Sequence, residues 1–463
     1  MTVVGLDDTD SRERGMCTTY VATEVASRLS ERTGATVERL LLVRLNPAVE
    51  HKTRGNAALA VHLGDHECDP ETALEIARAT LEDLAETADD RTNPGLVVAD
   101  QAPNEVPDDV SAFALSAIRD HLSIDEATTL ADDCGYRRWG AGNGRGQIGA
   151  LAAIGAWRAL EERDWTHEYI SYRDPERWGT PRTIDEESVF AAAEAGYPTV
   201  WDTVDRIEGE TVCVPHTPGP ILHGIRGDDP EAVRTVSDAI RSEPVARTQR
   251  FVTNQGTDVH LRDGSTLESL SAVRDGRAYR LEGWVTGEPE TRRGGHVFFE
   301  LADPADGASA DASSASGNAD ASNASDNTDA SSAEATGTLT CAAFEPTKRF
   351  RDRVRALRVG DRLTVCGEVA RGTLKLEKFA VRDLVETERV TPTCESCDRR
   401  MKSAGRGQGY RCRKCGTTTA TKVDRSLERG PEVGWYEVPP CARRHVAKPL
   451  IRGGFDGPTH PER

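Results

Sequence analysis

Three aspartates, Asp7, Asp8 and Asp10, close a short apolar run, Thr2–Leu6. Carboxylates crowded at a strand end repel one another unless a cation neutralises them. Mg²⁺, which takes oxygen ligands and usually arrives with phosphates, suits such a cluster. The plain alternative is an acidic turn whose Asp and Ser side chains cap a helix. Farther on, Gly140-Ala-Gly-Asn-Gly-Arg-Gly146 precedes a small-residue segment. Alternating glycines let backbone amides approach an anion, a following helix N-terminus adds partial positive charge, and Arg145 can fork onto phosphate oxygens. No Gly-Lys-Ser/Thr follows, and the dinucleotide spacing is absent, so this is neither a P-loop nor a Rossmann fingerprint; a tight packing turn would use the same glycines. Between two strands, Lys52-Thr-Arg54-Gly55-Asn56 offers two cations, a glycine and an amide. A phosphate fits such a set, and so does a solvated loop.

A second chemistry is written near the C-terminus. Cys394-x-x-Cys397 and Cys412-x-x-Cys415 are two knuckles separated by 14 residues. Four thiolates complete a tetrahedral Zn²⁺ shell and leave no open position, which makes the metal structural rather than catalytic. Arg399, Arg400, Lys402, Arg406, Arg411, Arg413 and Lys414 surround the knuckles, with Tyr410 among them. That combination suits nucleic acid, held through its phosphates and a stacking ring.

The elements that must position these residues follow from periodicity. Val21, Val25 and Leu29 predict a helix from Thr18 to Leu29, capped by Thr18 or Thr19. Val37–Leu45, Ala57–Leu63 and Gly95–Ala99 read as strands; Pro70–Ala88, Val110–His121, Asp125–Asp133 and Ile148–Leu160 read as helices. This alternation predicts an α/β or α+β unit over 1–162. Over 163–272, strands at Val212–Val214, Ile221–Ile225 and Arg250–Leu261 and a helix at Pro230–Arg241 predict a small ferredoxin-like α+β domain. The polar stretches Pro215–Pro220 and Thr253–Asp258 read as loops. From 273 to 388 only strands recur: Tyr279–Val285, Val297–Leu301, Thr338–Phe344, Asp361–Val369 and Leu374–Val381. Five short strands predict an OB-fold barrel. The segment 303–337 contains only small, polar and acidic residues and reads as a disordered insertion. A zinc ribbon over 389–425 and a basic tail over 426–463 complete the order.

The 463 residues suffice for about three domains. Against 77 Asp and Glu stand 58 Lys and Arg, a net charge of −19, and only eight of the cations are lysine. An acid-rich, lysine-poor chain stays hydrated in concentrated salt, so we read a halophilic habitat; an acidic mesophilic enzyme is the simpler alternative. Residues 389–453 nevertheless carry +9, which leaves −28 on the rest. A basic end on an acidic body points to a polyanionic partner. No run of about 18 apolar residues exists, so no membrane span is expected. There is no secretory signal pattern, and the 11 cysteines are odd in number and mostly scattered; both predict a reducing, cytoplasmic compartment.

Taken together, Val4-Gly-Leu-Asp7-Asp8-Thr-Asp10-Ser11, Gly15-Met-Cys-Thr18-Thr19, Arg44-Leu-Asn-Pro47, Lys52-Thr-Arg-Gly-Asn56, Gly142-Asn-Gly-Arg-Gly146 with Ile148–Gly155, Gly224-Ile-Arg-Gly227 and Thr253-Asn-Gln-Gly-Thr-Asp258 resemble archaeal tRNA(Ile) 2-agmatinylcytidine synthetases. The resemblance runs from residue 1 to about 420. It implies a multidomain α+β protein in the order kinase-like domain, ferredoxin-like domain, OB-fold and zinc ribbon. It further implies a ligase that joins agmatine to C2 of the wobble cytidine in the CAU anticodon of tRNA(Ile), so that the tRNA reads AUA. ATP is consumed to AMP and phosphate, through a cytidine phosphorylated at O2. On this resemblance Asp7, Asp8 and Asp10 handle Mg²⁺ and the triphosphate. Lys52, Arg54, Gly55, Asn56, Gly144, Arg145 and Gly146 hold phosphates, and Thr18 matches a threonine that becomes autophosphorylated. Thr19 is adjacent, and spacing alone does not choose between them. The partners implied are that tRNA and agmatine; the agmatine-binding residues and the oligomeric state are not legible.

Two other classes compete. A non-catalytic RNA-binding protein would need the barrel and ribbon but neither the aspartates nor the glycine loop. An enzyme that phosphorylates a small molecule would consume ATP without tRNA.

Overall fold

The computed structural model describes residues 1–49, 55–64, 68–161, 165–303 and 337–463. The expected insertion at 303–337 therefore falls, from 304 to 336, outside the described residues, as do Lys52 and Arg54.

The N-terminal part is built on β1 (Val3–Asp7), α1 (Thr18–Thr33), β2 (Val37–Arg44), β3 (Ala57–Leu63), α2 (Pro70–Leu84), β4 (Gly95–Ala99), α3 (Asp108–Arg119), α4 (Ile124–Asp133), β5 (Arg137–Gly140) and α5 (Gly146–Ala159). Local signals set these elements. Val21, Val25 and Leu29 make the buried stripe of α1, and Gly34, at φ 76°, closes it. The Asp69 carboxylate caps α2 by accepting from Glu71 N and Thr72 N, and Pro70 takes the first turn, where no N–H is needed. The cap of α1 differs from expectation: Cys17 is its N-cap and makes no side-chain cap bond, while Thr18 is the first helical residue.

The next segment supplies β6 (Thr166–Arg173), α6 (Glu186–Gly196), β7 (Val200–Trp201), β8 (Ile221–Gly227), α7 (Pro230–Ala239) and β9 (Val245–Thr253). Val212–Val214, expected as a strand, is a turn instead, tied by Val214 N to Thr211 O at 3.2 Å. Pro215 and Pro218, which follow these three apolar residues, have no N–H with which to continue a ladder.

All nine strands join one sheet in the order β5-β4-β1-β3-β2-β9-β6-β8-β7. Every pairing is antiparallel except β2 with β9. The alternation of strands and helices therefore yields an α+β sheet and not a parallel α/β one. The 162/163 division lies between α5 and β6, and the sheet continues across it. One core lies under α3–α5, with Val3, Leu41, Val43, Val97 and Ile154. A second lies under α1 and α2, with Val4, Leu6, Val25, Leu42 and Leu81, and continues onto Ile170, Tyr172 and Phe251 of the second half. A third, with Val189, Val200, Ile225 and Val233, lies under α6 and α7.

Arg277–Val285, Val297–Ala302, Thr338–Ala343, Thr373–Asp383 and Arg362–Ala370 pair in a closed circuit, a five-stranded barrel around Phe299, Leu301, Phe350, Val365 and Phe379. The segment 426–463, expected as a tail, is built into the molecule. Gly434–Glu437 pairs with Lys378–Val381 of the barrel, and Thr459–His460 pairs with Trp435–Tyr436. The ribbon thus leaves the barrel after one strand and the chain returns to add another.

Candidate active site

The placement of the aspartates begins with glycine. A Cβ on Gly5 of β1 would stand 2.1 Å from Ala150 O, and one on Gly149 of α5 would stand 1.9 Å from Asp7 Oδ2. Only bare backbone at both positions lets α5 lie directly on β1, and this contact brings the first turn of α5 against the Asp7 carboxylate. Asp8 follows in a left-handed conformation, φ 60°, which turns the chain sharply off the strand; its amide donates to Asp7 Oδ1 at 2.7 Å.

Asp7, Asp8, Asp10, Thr18, Gly55, Asn56 and Arg145 line one cavity of about 380 Å³, at the end of the sheet where its two halves meet. Arg145 Nη2 lies 2.8 Å from Asp8 Oδ2 and also donates to Arg91 O at 2.9 Å. Burial holds the Asp7 carboxyl well above the ordinary carboxylate range, and the Asp8 charge pushes it the same way. Burial also raises Asp8, against the pull of the Arg145 guanidinium. Two half-buried carboxylates, of which only Asp8 has a guanidinium partner, form a donor set that an added cation would stabilise. Thr18 is buried, and its Oγ1 accepts from Thr9 Oγ1 at 3.1 Å; Thr19 lies beside it on the same wall.

Within the glycine loop the amides have partners. Gly144 N donates to Ala141 O, Arg145 N to Asn143 Oδ1 at 2.9 Å, Gly146 N to Asn93 O, and Asn143 N to Asn93 Oδ1. Gly142 and Gly144 have positive φ, as that tight turn demands. Of this loop the Arg145 side chain reaches the cavity wall, while Gly144 and Gly146 shape the turn behind it. The carbonyl of Asn46 receives Asn56 Nδ2 at 2.8 Å, which fixes Asn56 at the rim.

Sequence reasoning gave no role to Arg44, Glu168, Arg226 or His445, all on this cavity. Their signal was charge inside apolar strands: Arg44 ends β2, Glu168 lies in β6 and Arg226 in β8. The two unread loops now have work. Asn254 bonds both backbone groups of Arg44, at 2.7 and 3.0 Å, and Gly256, through its amide on His445 O, and Asp258, through Val446 O and Lys378 Nζ, tie the sheet to the C-terminal segment and the barrel. Pro215–Pro220 forms part of the cavity wall. Arg182 grips it through Pro215 O at 2.7 Å and Thr217 O at 2.9 Å, and Gly219 packs backbone-on-backbone against Gly15.

The four cysteines stand apart from this cavity. Their sulfurs lie within 4.8 Å of one another, the donor set of tetrahedral Zn²⁺. Asp398, at φ 49°, and Gly416, at φ 80°, follow the two knuckles and turn the chain back, with Asp398 N on Cys394 O and Gly416 N on Cys412 O. The seven surrounding Lys and Arg residues are all exposed, and none has an ion pair among the described residues.

Comparison with known proteins agrees with this geometry. Residues 3–143 match the TiaS TCKD domain, 144–260 the TiaS FLD domain and 391–430 the TiaS C-terminal zinc ribbon domain. The chain is 54% identical over 472 residues to the isoleucine-tRNA 2-agmatinylcytidine synthetase TiaS of Haloquadratum walsbyi, covering 100% of both chains. It superposes on the crystal structure of a complex of TiaS with its isoleucine tRNA and ATP with TM-score 0.84 at 40% identity, covering 100% of this chain and 99% of that one. A complex of TiaS with the same tRNA, AMPCPP and agmatine gives TM-score 0.81 at 37% identity with the same coverage. With three domain models matched in order and full-length identity to a curated member, the chain belongs to the TiaS family of isoleucine-tRNA 2-agmatinylcytidine synthetases.

Proposed function

We propose that this protein is an ATP-dependent ligase that joins agmatine to C2 of the wobble cytidine in the CAU anticodon of tRNA(Ile), forming agmatidine. The observation that carries this is the single cavity holding three aspartates, Thr18 and Arg145, in a chain whose relatives bind isoleucine tRNA, ATP and agmatine.

The chemistry needs what the cavity offers. The cytidine O2 is a poor leaving group, and phosphorylation makes it a good one. Phosphoryl transfer asks mainly for alignment and charge neutralisation. Asp7, Asp8 and Asp10 would hold Mg²⁺, which screens the triphosphate. Arg145, Asn56 and Gly55 hold phosphates at the rim, Lys52 and Arg54 are assigned to the same phosphates on the resemblance alone, and Gly144 and Gly146 shape the loop. The Thr18 hydroxyl, at the first turn of α1, is the autophosphorylation site. In the second step the amine nitrogen of agmatine bonds to C2 as the C2–O2 bond breaks. O2 leaves on the phosphoryl group, which takes up one amine proton and departs as hydrogen phosphate. The wobble base enters this cavity extruded from its loop. We assign residues 1–162 to a kinase-like unit, 163–272 to a ferredoxin-like unit and the barrel to an OB-fold. The barrel and exposed ribbon cations hold the anticodon arm.

The test is an omission series in high salt: protein, ATP with Mg²⁺, agmatine and a CAU-anticodon tRNA(Ile) transcript, each left out in turn. Nucleoside mass spectrometry should find the agmatine adduct only when all are present, and Asp8→Ala should abolish it. Tight tRNA binding without adduct would favour an RNA-binding protein, and tRNA-independent ATP consumption a small-molecule kinase.

A further inference from the structure

Arg44, Arg226 and His445 meet on the cavity wall from three distant parts of the chain. Both guanidiniums are held, but not by short pairing with carboxylates. Arg44 Nη2 donates to Gln255 Oε1 at 3.3 Å and lies 3.9 Å from Glu168 Oε2; its Nε has no partner among the described residues. Arg226 Nη2 donates to the Asp202 carbonyl at 3.3 Å, and its Nη1 stands 3.9 Å from the Asp202 carboxylate, which is committed to Arg443.

Arg226 Nη1 lies 3.0 Å from His445 Nδ1. A guanidinium only donates, so Nδ1 accepts. The ring is open to the cavity. Partial desolvation in the cavity and the two guanidiniums hold the imidazole below its ordinary value; a neutral ring that accepts at Nδ1 carries its proton on Nε2. The ring edge carrying Nε2 runs beside Gly55: a Cβ there would stand 3.7 Å from His445 Cδ2 and 2.5 Å from Arg44 Nη1. Gly55 does not have positive φ, so its bareness serves space and leaves this corner open.

Two enclosed guanidiniums and a fixed N–H donor repel the cationic end of agmatine and accept an oxyanion. Resting on the reaction above, we propose that Arg44, Arg226 and His445 form the site for the phosphoryl group carried on cytidine O2 and discharged as hydrogen phosphate when agmatine attacks. As the C2–O2 bond breaks, negative charge accumulates on the departing oxygens, and donors already aimed there need no reorganisation. The Arg44-Leu-Asn-Pro and Gly-Ile-Arg226-Gly motifs then serve one ligand.

The experiment separates the two steps. ATP labelled at the γ-phosphate is incubated with the full chain and the tRNA transcript, without agmatine, and agmatine is then added. In His445→Phe, agmatine-triggered release of labelled phosphate should slow about 100-fold, at least about tenfold more than transfer of label to tRNA slows. His445→Asn, which keeps an N–H, should recover at least about a tenth of the release rate. Arg44→Gln should show the same split and covers failure of His445→Phe to fold. Release at the wild-type rate in these variants overturns the proposal. So does an equal fall in both steps with a raised KM for ATP, which would place the corner on the triphosphate. Wild-type protein that puts no label on tRNA removes the underlying reaction, and this site with it.

Discussion

Asp7 shows what the site costs at the scale of one residue. It is half-buried beside Asp8, and its desolvation holds the carboxyl well above the ordinary range. A carboxyl whose folded value is raised favours the native state while it is protonated, and stability declines as pH rises through the shifted value. Without a cation, ionising Asp7 beside Asp8 therefore opposes folding. We expect Asp7→Asn to raise stability at pH 7, measured by denaturant melts without Mg²⁺, while adduct formation is lost. The same shift makes protons compete with the cation. The Mg²⁺ concentration for half-maximal activity should rise as pH is lowered, and a Mg²⁺ requirement that stays flat as pH falls would remove these carboxylates from the metal's coordination. The residue types at Asp7, Asp8 and Asp10 announced a cation from sequence. The enclosure of Asp7 and the guanidinium on Asp8 were not announced, because they depend on a distant helix that begins only at Gly146 and on the arginine just before it.

At the scale of elements, the decisive contact is α5 on β1. Gly5, Gly146 and Gly149 have no room for a Cβ; one at 146 would stand 2.4 Å from Gly95 N. Gly149→Ala should cost about 2 kcal/mol by forcing the helix off the strand, and should lower activity more than a stability loss of that size explains, since the displaced group is Asp7. A melt combined with the adduct assay decides this, and near-wild-type activity would show that the contact does not position the carboxylate. The apolar stripe of α1 and the Asp-Pro start of α2 were legible from sequence. The strand β6 was not read, because its Thr-His-Glu-Tyr pattern places Glu168 where an apolar residue was expected. Val212–Val214 was over-read as a strand because three apolar residues carry no information on whether a ladder is available to them.

The whole molecule is held together by buried charge. Arg443 bonds Asp202 and lies 2.8 Å from Glu437 Oε1, and Arg349 joins Asp205 to Glu462. These pairs lock barrel, sheet and C-terminal segment, and breaking such a pair typically costs about 3–5 kcal/mol. The ribbon hangs outside this lock, on the short pairing of Thr387–Val390 with Val423–Ser426. Removing zinc with a chelator should therefore leave the main unfolding transition in place. It should weaken tRNA binding by about tenfold or more and flatten the salt dependence of affinity, because the exposed cations around the knuckles lose their fixed arrangement. Loss of the main transition on chelation would show that the ribbon is part of the folding core.

Sequence by itself determined the local chemistry and the order of parts: the cysteine knuckles, the aspartate triplet, the five barrel strands and the basic end all rest on spacing and composition within short windows. Tertiary structure alone decided three things. The two strand–helix segments share one sheet, because the β2–β9 pairing joins residues some 210 positions apart. The C-terminal segment is a barrel strand followed by a wedge that delivers His445 to the cavity. Arg44 and Arg226 stand in one corner with it. Each depends on long-range pairing and on which buried charges find partners, and neither leaves a periodic signal in the chain.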